Sequence, residues 1–456
     1  MAEAAPPRPN PHPQGEGVTR LPPPRTEVGV IGWLRANLFS SRFDSALTVV
    51  SLAAIVAALW FGLRWIFITA DWTIISALGG LLAIGPYNTE QACPGQNCFW
   101  RPQVVLLMVT ALLGMAWGLA GGGTARRIAI GAAVIVTLFA FLPYGFERMG
   151  MDVRLLLAAN ILTTLAGWAI ARYTGMSART IAFCAVAAFI ITLVLFRGVS
   201  GVPGLQPVST LHWGGLMLNL LLAVVGIVIS FPIGIALALG RRSNLSVPLG
   251  DLLVHVLERS TGMRLHPRLA WVLRLLNISM VKLFCVVFIE VFRGVPLITL
   301  LFMSQVLVPL AFPEDFQPNS LLRASIIITL FSSVYMAENI RGGLQALHPG
   351  QAEAARALGL PAWQTTLFIS LPQAIRNVIP AIVGQFIALF KDTTLVYIIG
   401  MLDVLEFGRA FIQGNAEYLA NQKELFIFLA VVFWVFCYTM SYVSQRVEEH
   451  MGVGRR

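Results

Sequence analysis

Long apolar runs separated by short polar interruptions dominate the chain. Ten candidates fall near residues 45–69, 103–120, 127–143, 154–171, 180–196, 213–240, 283–309, 322–341, 375–399 and 424–444. Each approaches the ~20 residues that a helix needs to cross a bilayer. Lipid offers the backbone no hydrogen-bond partner, so such runs fold as helices. The pattern predicts an all-α polytopic membrane protein of about ten transmembrane helices. The seventh run is interrupted at Arg293-Gly294, which predicts a short interfacial helix ahead of the true span.

One polar stretch is too elaborate for a connector. Residues 346–372 read ALHPGQAEAARALGLPAWQTTLFISLP and lie between two apolar runs. Ala352, Ala354, Ala355 and Ala357 favour helix and present a low-relief surface. Gly359 can take a positive φ and end that helix, and Pro361 suits the first turn of the next. Glu353 is a fixed charge on a face of small residues. Two readings stand: a hairpin shaped to fit a groove on another protein, or a surface hairpin with no partner.

Composition agrees with the apolar pattern. The chain of 456 residues is 57% hydrophobic and 12% charged. A soluble protein carries about twice that charged fraction. The net charge of +10 raises nucleic acid as a partner. Yet the basic residues are mostly arginines at the ends of apolar runs, which fits an anionic membrane surface and no nucleic acid. With the N-terminus inside, the inner loops hold Arg126-Arg127, Arg172 with Arg179, and Arg241-Arg242. The outer loops 70–102 and 310–321 hold Arg101 with acidic Asp71, Glu90, Glu314 and Asp315. This arrangement predicts both termini and the 346–372 hairpin on the cytoplasmic side.

Four domains follow: a Pro-rich cytoplasmic tail and pre-helix at 1–43, a membrane extension of five helices at 44–200, a core of five helices at 205–446, and a tail at 447–456. Residues 1–30 lack a continuous apolar stretch, so no cleavable signal peptide is expected. The loop at 197–212 reads as a flexible outer connection. Residues 243–277 form an insertion in which Leu249, Leu252, Leu253, Val256 and Leu257 make an apolar stripe. That stripe predicts an amphipathic helix on the inner membrane surface. A contact with an ATPase is the second reading. Cys184, Cys285 and Cys437 lie in apolar runs as small core residues, whereas Cys93 and Cys98 flank PGQN in an outer loop. The turn can join their sulfurs in an oxidising compartment, and two free thiols are the alternative.

The hairpin also resembles a known signature. Glu353-Ala354-Ala355, Gly359, Ile369 and Leu371-Pro372 match EAA-x3-G-x9-I-x-LP at every defined position. This is the EAA loop of ABC importer permeases. The segments IEVFRGVPL at 289–297, VYMAENIRGGLQALH at 334–348 and FKDTTLV at 390–396 extend the resemblance to the polar and general L-amino acid branch. The N-terminal extension is similar to the long permease subunit of general L-amino acid systems. The resemblance implies a C-terminal half with the type I (MetI-like) importer fold. It implies ABC ATPase subunits docked on the loop and a second, homologous permease subunit in a heterodimer. It also implies a periplasmic amino-acid-binding protein. ATP would be used by the partner subunit, with no cofactor in this chain.

The remaining charges are costly in a membrane and draw attention. Glu290 with Arg293, and Glu338 with Arg341, share a three-residue spacing that allows pairing on one helix face. They read as structural ion pairs or as supports for a gate. Lys391, Asp392, Thr393 and Thr394 offer a cation, an anion and two hydroxyls, which suits a zwitterionic amino acid. A helix-end charge pair is the bland reading. Pro380 can kink or hinge the same span. No lysine follows a glycine, so GxxxxGK[ST] is absent and ATP must be hydrolysed elsewhere. Six scattered histidines show no metal-ligand spacing. An ion-gradient-driven secondary transporter, with Lys391, Asp392 and Glu338 as relay groups, is the main alternative function. A scaffold that only recruits an ATPase is the third.

Overall fold

A computed structural model describes residues 30–89, 91–95, 98–141, 151–243, 249–262, 264, 266–269, 279–313 and 317–452. The expectations for residues 1–29, Glu90, Glu314, Asp315 and 453–456 lie outside these, as does much of the 243–277 insertion. The chain divides after Ala70 into two compact units.

The first unit contains α1 (Val30–Asn37) and α2 (Arg42–Arg64), which runs on through a π-helical turn, Trp65–Thr69. Ser41 caps α2: its hydroxyl accepts the Asp44 N–H at 3.0 Å. The 28 residues from Arg42 to Thr69 bury no side chain within the unit. An apolar helix of about 40 Å with no side chain buried in its own unit is suited to lipid.

Helices make up the regular elements of the second unit among its described residues. It begins with α3 (Thr73–Ile84) and continues with α4 (Trp100–Ala120), α5 (Gly123–Phe141), α6 (Met151–Ala158), α7 (Asn160–Thr174) and α8 (Ala178–Arg197). Then come α9 (Gly215–Arg241), α10 (Leu249–Thr261), α11 (Met280–Gly294), α12 (Leu297–Ala311) and α13 (Ser320–Gln345). The last four are α14 (Gly350–Ala357), α15 (Leu371–Asp392), α16 (Val404–Gly414) and α17 (Gln422–Met451).

Among the described residues of both units, eight helices are long and apolar enough to cross a membrane, or up to nine if the bent pair α11–α12 counts as one. The pair turns by 103° at Val295-Pro296. Nine of the ten expected runs correspond to these spans. The tenth, 127–143, is α5, which ends at Phe141 against undescribed residues.

Two expectations are corrected. The segment 70–102 is not simply an outer loop, because α3 lies within it. Twelve residues reach only about 18 Å, too short to span. Ile74, Leu78 and Leu82 of α3 are buried with Val404, Ile412 and Leu425. The connection at 197–212 is tied down. Val208 N–H donates to the Arg197 carbonyl at 2.8 Å, and Val199 N–H to that of Leu205 at 2.7 Å. Arg101, fully buried, donates to the carbonyls of Gln206 at 3.0 Å and Gly204 at 3.2 Å. Tyr87 Oη donates to the Phe196 carbonyl beside it at 2.9 Å. Cys93 and Cys98 are joined as a disulfide in the same cluster, with Cα atoms 6.3 Å apart.

Two kinds of packing hold the second unit. In α4 and α7 the backbones touch: Gly114 faces the Thr164 carbonyl and Gly167 faces that of Ala111, with no room for a Cβ at either. Small residues four apart permit this approach between membrane helices. Elsewhere, α13 packs between α9 and α15 on apolar side chains, including Leu218, Leu222, Ile328, Met336, Ile340 and Leu389. The two sequence regions that meet near 200–205 therefore share one packed unit.

Candidate functional site

The 346–372 segment folds as a hairpin between α13 and α15. Helix α14 carries the Ala-rich stretch and ends in a Schellman cap: Leu360 N–H donates to the Ala355 carbonyl at 3.1 Å, and Gly359 N–H to that of Arg356 at 2.9 Å. Gly359 sits at φ +79°, a left-handed value that the cap requires. Pro361 then precedes one α-turn, Ala362–Gln364, and a π-helical stretch, Thr365–Ser370, which leads into α15. The extra residue per turn of a π-helix rotates what precedes it relative to α15.

The residues of the motif divide by exposure. Ala355, Leu371 and the adjacent Ala374 are buried, and Ile369 is half-buried, so they fasten the hairpin to the helices above. Glu353, Ala354, Gly359 and Pro372 are exposed. Leu358 is 82% exposed and Trp363 58% exposed on the same hairpin. These two were not singled out in the sequence, because the motif constrains neither position. The hairpin thus leaves two large apolar side chains exposed among small and polar ones.

Just above the hairpin, charges converge on Glu338. Its Oε2 accepts from Arg341 Nη2 at 2.7 Å and Nε at 2.9 Å, and lies 3.8 Å from Arg293 Nη1. Its Oε1 accepts from Arg241 Nη1 at 2.7 Å. Arg241 Nη2 also meets Glu290 Oε1 at 3.3 Å. The spacing suggested two local pairs. The fold links Glu290 and Glu338 through Arg241, which sequence reading missed because it comes from α9, 97 residues before Glu338. The cluster joins the ends of α9 and α11 to α13, two turns before the hairpin begins.

The four residues 391–394 do not converge on a common space. Lys391 is exposed and Asp392 half-buried. The Thr394 hydroxyl donates to the Lys391 carbonyl at 2.8 Å. Thr393 is fully buried, donates to the Phe390 carbonyl at 2.7 Å and accepts from Asn219 Nδ2 at 2.9 Å. Asn219 Nδ2 also reaches Asp403 Oδ2 at 3.3 Å, and its Oδ1 accepts the Val404 N–H at 3.1 Å. Asp403 caps α16 by accepting from Leu405 N–H at 3.2 Å and Glu406 N–H at 3.1 Å. Burial pushes its carboxyl up to about 6. Thr393 is thus part of a locked network with Asn219 and Asp403, neither of which stood out in the sequence.

Pro380 lies inside α15 and leaves the Arg376 carbonyl without its usual donor. In the insertion, α10 forms as the stripe predicted. Leu253, Val256 and Leu257 are exposed, Val254 is buried, and the side chains of Leu249 and Leu252 lie outside the described ones. Among the described residues, no three His, Cys, Asp or Glu side chains are grouped to hold a metal.

Comparison with known proteins adds three findings. The family model for the binding-protein-dependent transport system inner membrane component matches residues 270–453. The inner membrane amino-acid ABC transporter permease protein YhdY of Escherichia coli (strain K12) is 32% identical over 424 residues, 93% of each chain. The glutamate/glutamine/aspartate/asparagine transport system permease protein BztC of Rhodobacter capsulatus is 31% identical over 468 residues, 94% of this chain and 95% of its own.

Proposed function

The chain belongs to the amino-acid ABC transporter permeases, within the binding-protein-dependent inner membrane components, and from this we propose that its 346–372 hairpin receives work from a separate ATPase subunit to carry polar L-amino acids inward. One observation carries the reading: the capped hairpin exposes Glu353, Ala354, Leu358 and Trp363 while burying Ala355 and Leu371. One side is built to be held by this chain and the other to be held by something else.

The proposal has a direction. Both termini and the hairpin lie in the cytoplasm, where ATP is. Residues 44–200 form the extension, and 205–446 the core that pairs with a second, homologous permease subunit. A periplasmic binding protein delivers substrate to the opposite face. ATP is bound by the ATPase subunits and this chain holds no cofactor. Motion of the hairpin reaches the core through α13, whose last two turns carry the Glu338 cluster. Substrates are the acidic amino acids and their amides, a range supported by the name of the Rhodobacter relative. Lys391 and Asp392 remain candidates for contact with the amino acid. Thr393 contributes only if its bonds to Asn219 and Phe390 open.

The test is uptake of glutamate, glutamine, aspartate and asparagine into proteoliposomes holding the complete complex. Uptake should require ATP and survive an ionophore that dissipates ion gradients. L358E/W363E should release the ATPase on purification and stop uptake while the membrane subunits stay associated. Uptake that persists without the ATPase would overturn the proposal.

A further inference from the structure

A second site lies in the N-terminal extension, away from the hairpin and the Glu338 cluster. Close packing of α4 on α7 ends at Gly118, whose Cβ would meet the Trp168 carbonyl at 2.7 Å. Beyond that point the helices part, and a cleft of about 420 Å³ opens between their ends and the start of α5. That volume falls within the range of small-molecule sites. One wall is Trp117 stacked on Trp168, with ring centroids 5.2 Å apart and planes 27° apart. Arg126 and Arg172 line the cleft, and both are exposed. Gly121 turns the chain at φ +61° and leaves no side chain in the opening.

Charge and depth together identify the ligand class. No acidic residue lines the cleft. Among the described residues, neither Arg126 nor Arg172 has a carboxylate within ion-pair distance. Their neighbour Arg127 is engaged elsewhere and donates to Tyr442 Oη of α17 at 3.4 Å. Two uncompensated guanidiniums in a concave site are matched to phosphate oxygens, which they bind as planar forks. The aromatic wall sets the depth. Trp168 meets Tyr173 edge-on at 6.3 Å, and Tyr173 is 81% exposed. Trp and Tyr gather at the headgroup level of a bilayer. A phosphate group available there belongs to a phospholipid. With no carboxylate to receive an ammonium, a net-anionic headgroup fits better than a zwitterionic one.

We propose that the cleft between α4, α5 and α7 binds the headgroup of an anionic phospholipid through Arg126 and Arg172, with its glycerol end against Trp117 and Trp168. The site fastens lipid to the extension and is independent of the hairpin's partner. Basic pockets between membrane helices hold such headgroups elsewhere.

The test uses the full chain in its purified, delipidated complex and a fluorescent-tailed phosphatidylglycerol. R126Q/R172Q should weaken binding about tenfold or more, since each arginine near an anionic headgroup contributes about fivefold. R126K/R172K should recover part of it. R127Q/R179Q, which removes two arginines that do not line the cleft, should bind as the wild type does. Unlabelled phosphatidylglycerol should displace the probe, whereas phosphatidylethanolamine and millimolar inorganic phosphate should not. Equal binding by R126Q/R172Q, equal loss in R127Q/R179Q, or displacement by inorganic phosphate would each overturn the proposal. Thermal unfolding of each variant, matched to the wild type, separates lost binding from lost folding.

Discussion

Replacing Gly359 isolates backbone strain from every other contribution at the hairpin. The residue sits at φ +79°, and a Cβ there would meet nothing within 4 Å. Gly359→Ala therefore adds no clash and removes no contact. Its cost is the left-handed conformation itself, about 1–2 kcal/mol for an L-residue with a Cβ. That energy works against the two cap hydrogen bonds, Leu360 to Ala355 and Gly359 to Arg356. A penalty of this size shifts the capped-to-frayed ratio by about 5- to 30-fold. Amide hydrogen exchange over residues 355–360 should accelerate by that factor, and retention of the ATPase should fall alongside it. Asn tolerates this backbone best after glycine, so Gly359→Asn should lie between glycine and alanine. Gly359→Val should be the most disruptive, because its branched Cβ crowds the backbone further. Membrane insertion should be unchanged in all three, since the position is exposed and touches no core. If Val exchanges at the wild-type rate, the cap does not hold the hairpin and the reasoning fails.

Three further outcomes test other parts of the structure. Glu338→Gln should cost about 2–3 kcal/mol, because charge-assisted bonds to Arg341 and Arg241 are lost from a side chain only 16% exposed. In a double-mutant cycle with Arg241→Gln, followed by thermal unfolding in detergent, the two changes should be clearly less than additive. Asp403 gives a pH signature. Its folded-state pKa of about 6 lies above the ordinary 3.8, so protonation favours the folded state. Stability should rise as pH falls from 7 toward 4, by about 3 kcal/mol in total. Asp403→Asn should remove that component, and parallel wild-type and variant profiles would contradict it. Gly167→Leu should push α7 off α4 and lower the unfolding temperature, with an overpacking cost of about 3 kcal/mol or more.

What could be read in advance was whatever depends on neighbours in sequence. Hydropathy located the spans because each apolar run must match the bilayer alone. The helix, its glycine stop and the next helix were legible at 346–372 because capping is local. The seventh run breaks at Val295-Pro296, directly after the Arg293-Gly294 interruption read in the sequence, but the 103° angle was not legible there. α3 was hidden because its twelve residues are apolar without being long, and only burial against α16 and α17 shows their purpose. Arg241 was read as an orienting charge at a helix end. Its contact with Glu338 depends on how α9 lies along α13, which no spacing rule encodes. The same holds for Asn219, which meets Thr393 and Asp403 from 174 and 184 residues away, and for the stacking of Trp117 on Trp168.

The buried Arg101 pins the start of α4 to the link between α8 and α9. Its guanidinium has traded water for the carbonyls of Gly204 and Gln206, beside a disulfide and the Tyr87 hydroxyl. Such a cation cannot slide, because any shift along the membrane normal would strip it of acceptors it cannot replace. The link between α8 and α9 is thus a fixed anchor. Moving α4 away from that link would have to break buried hydrogen bonds to Gly204 and Gln206 before the helices could separate.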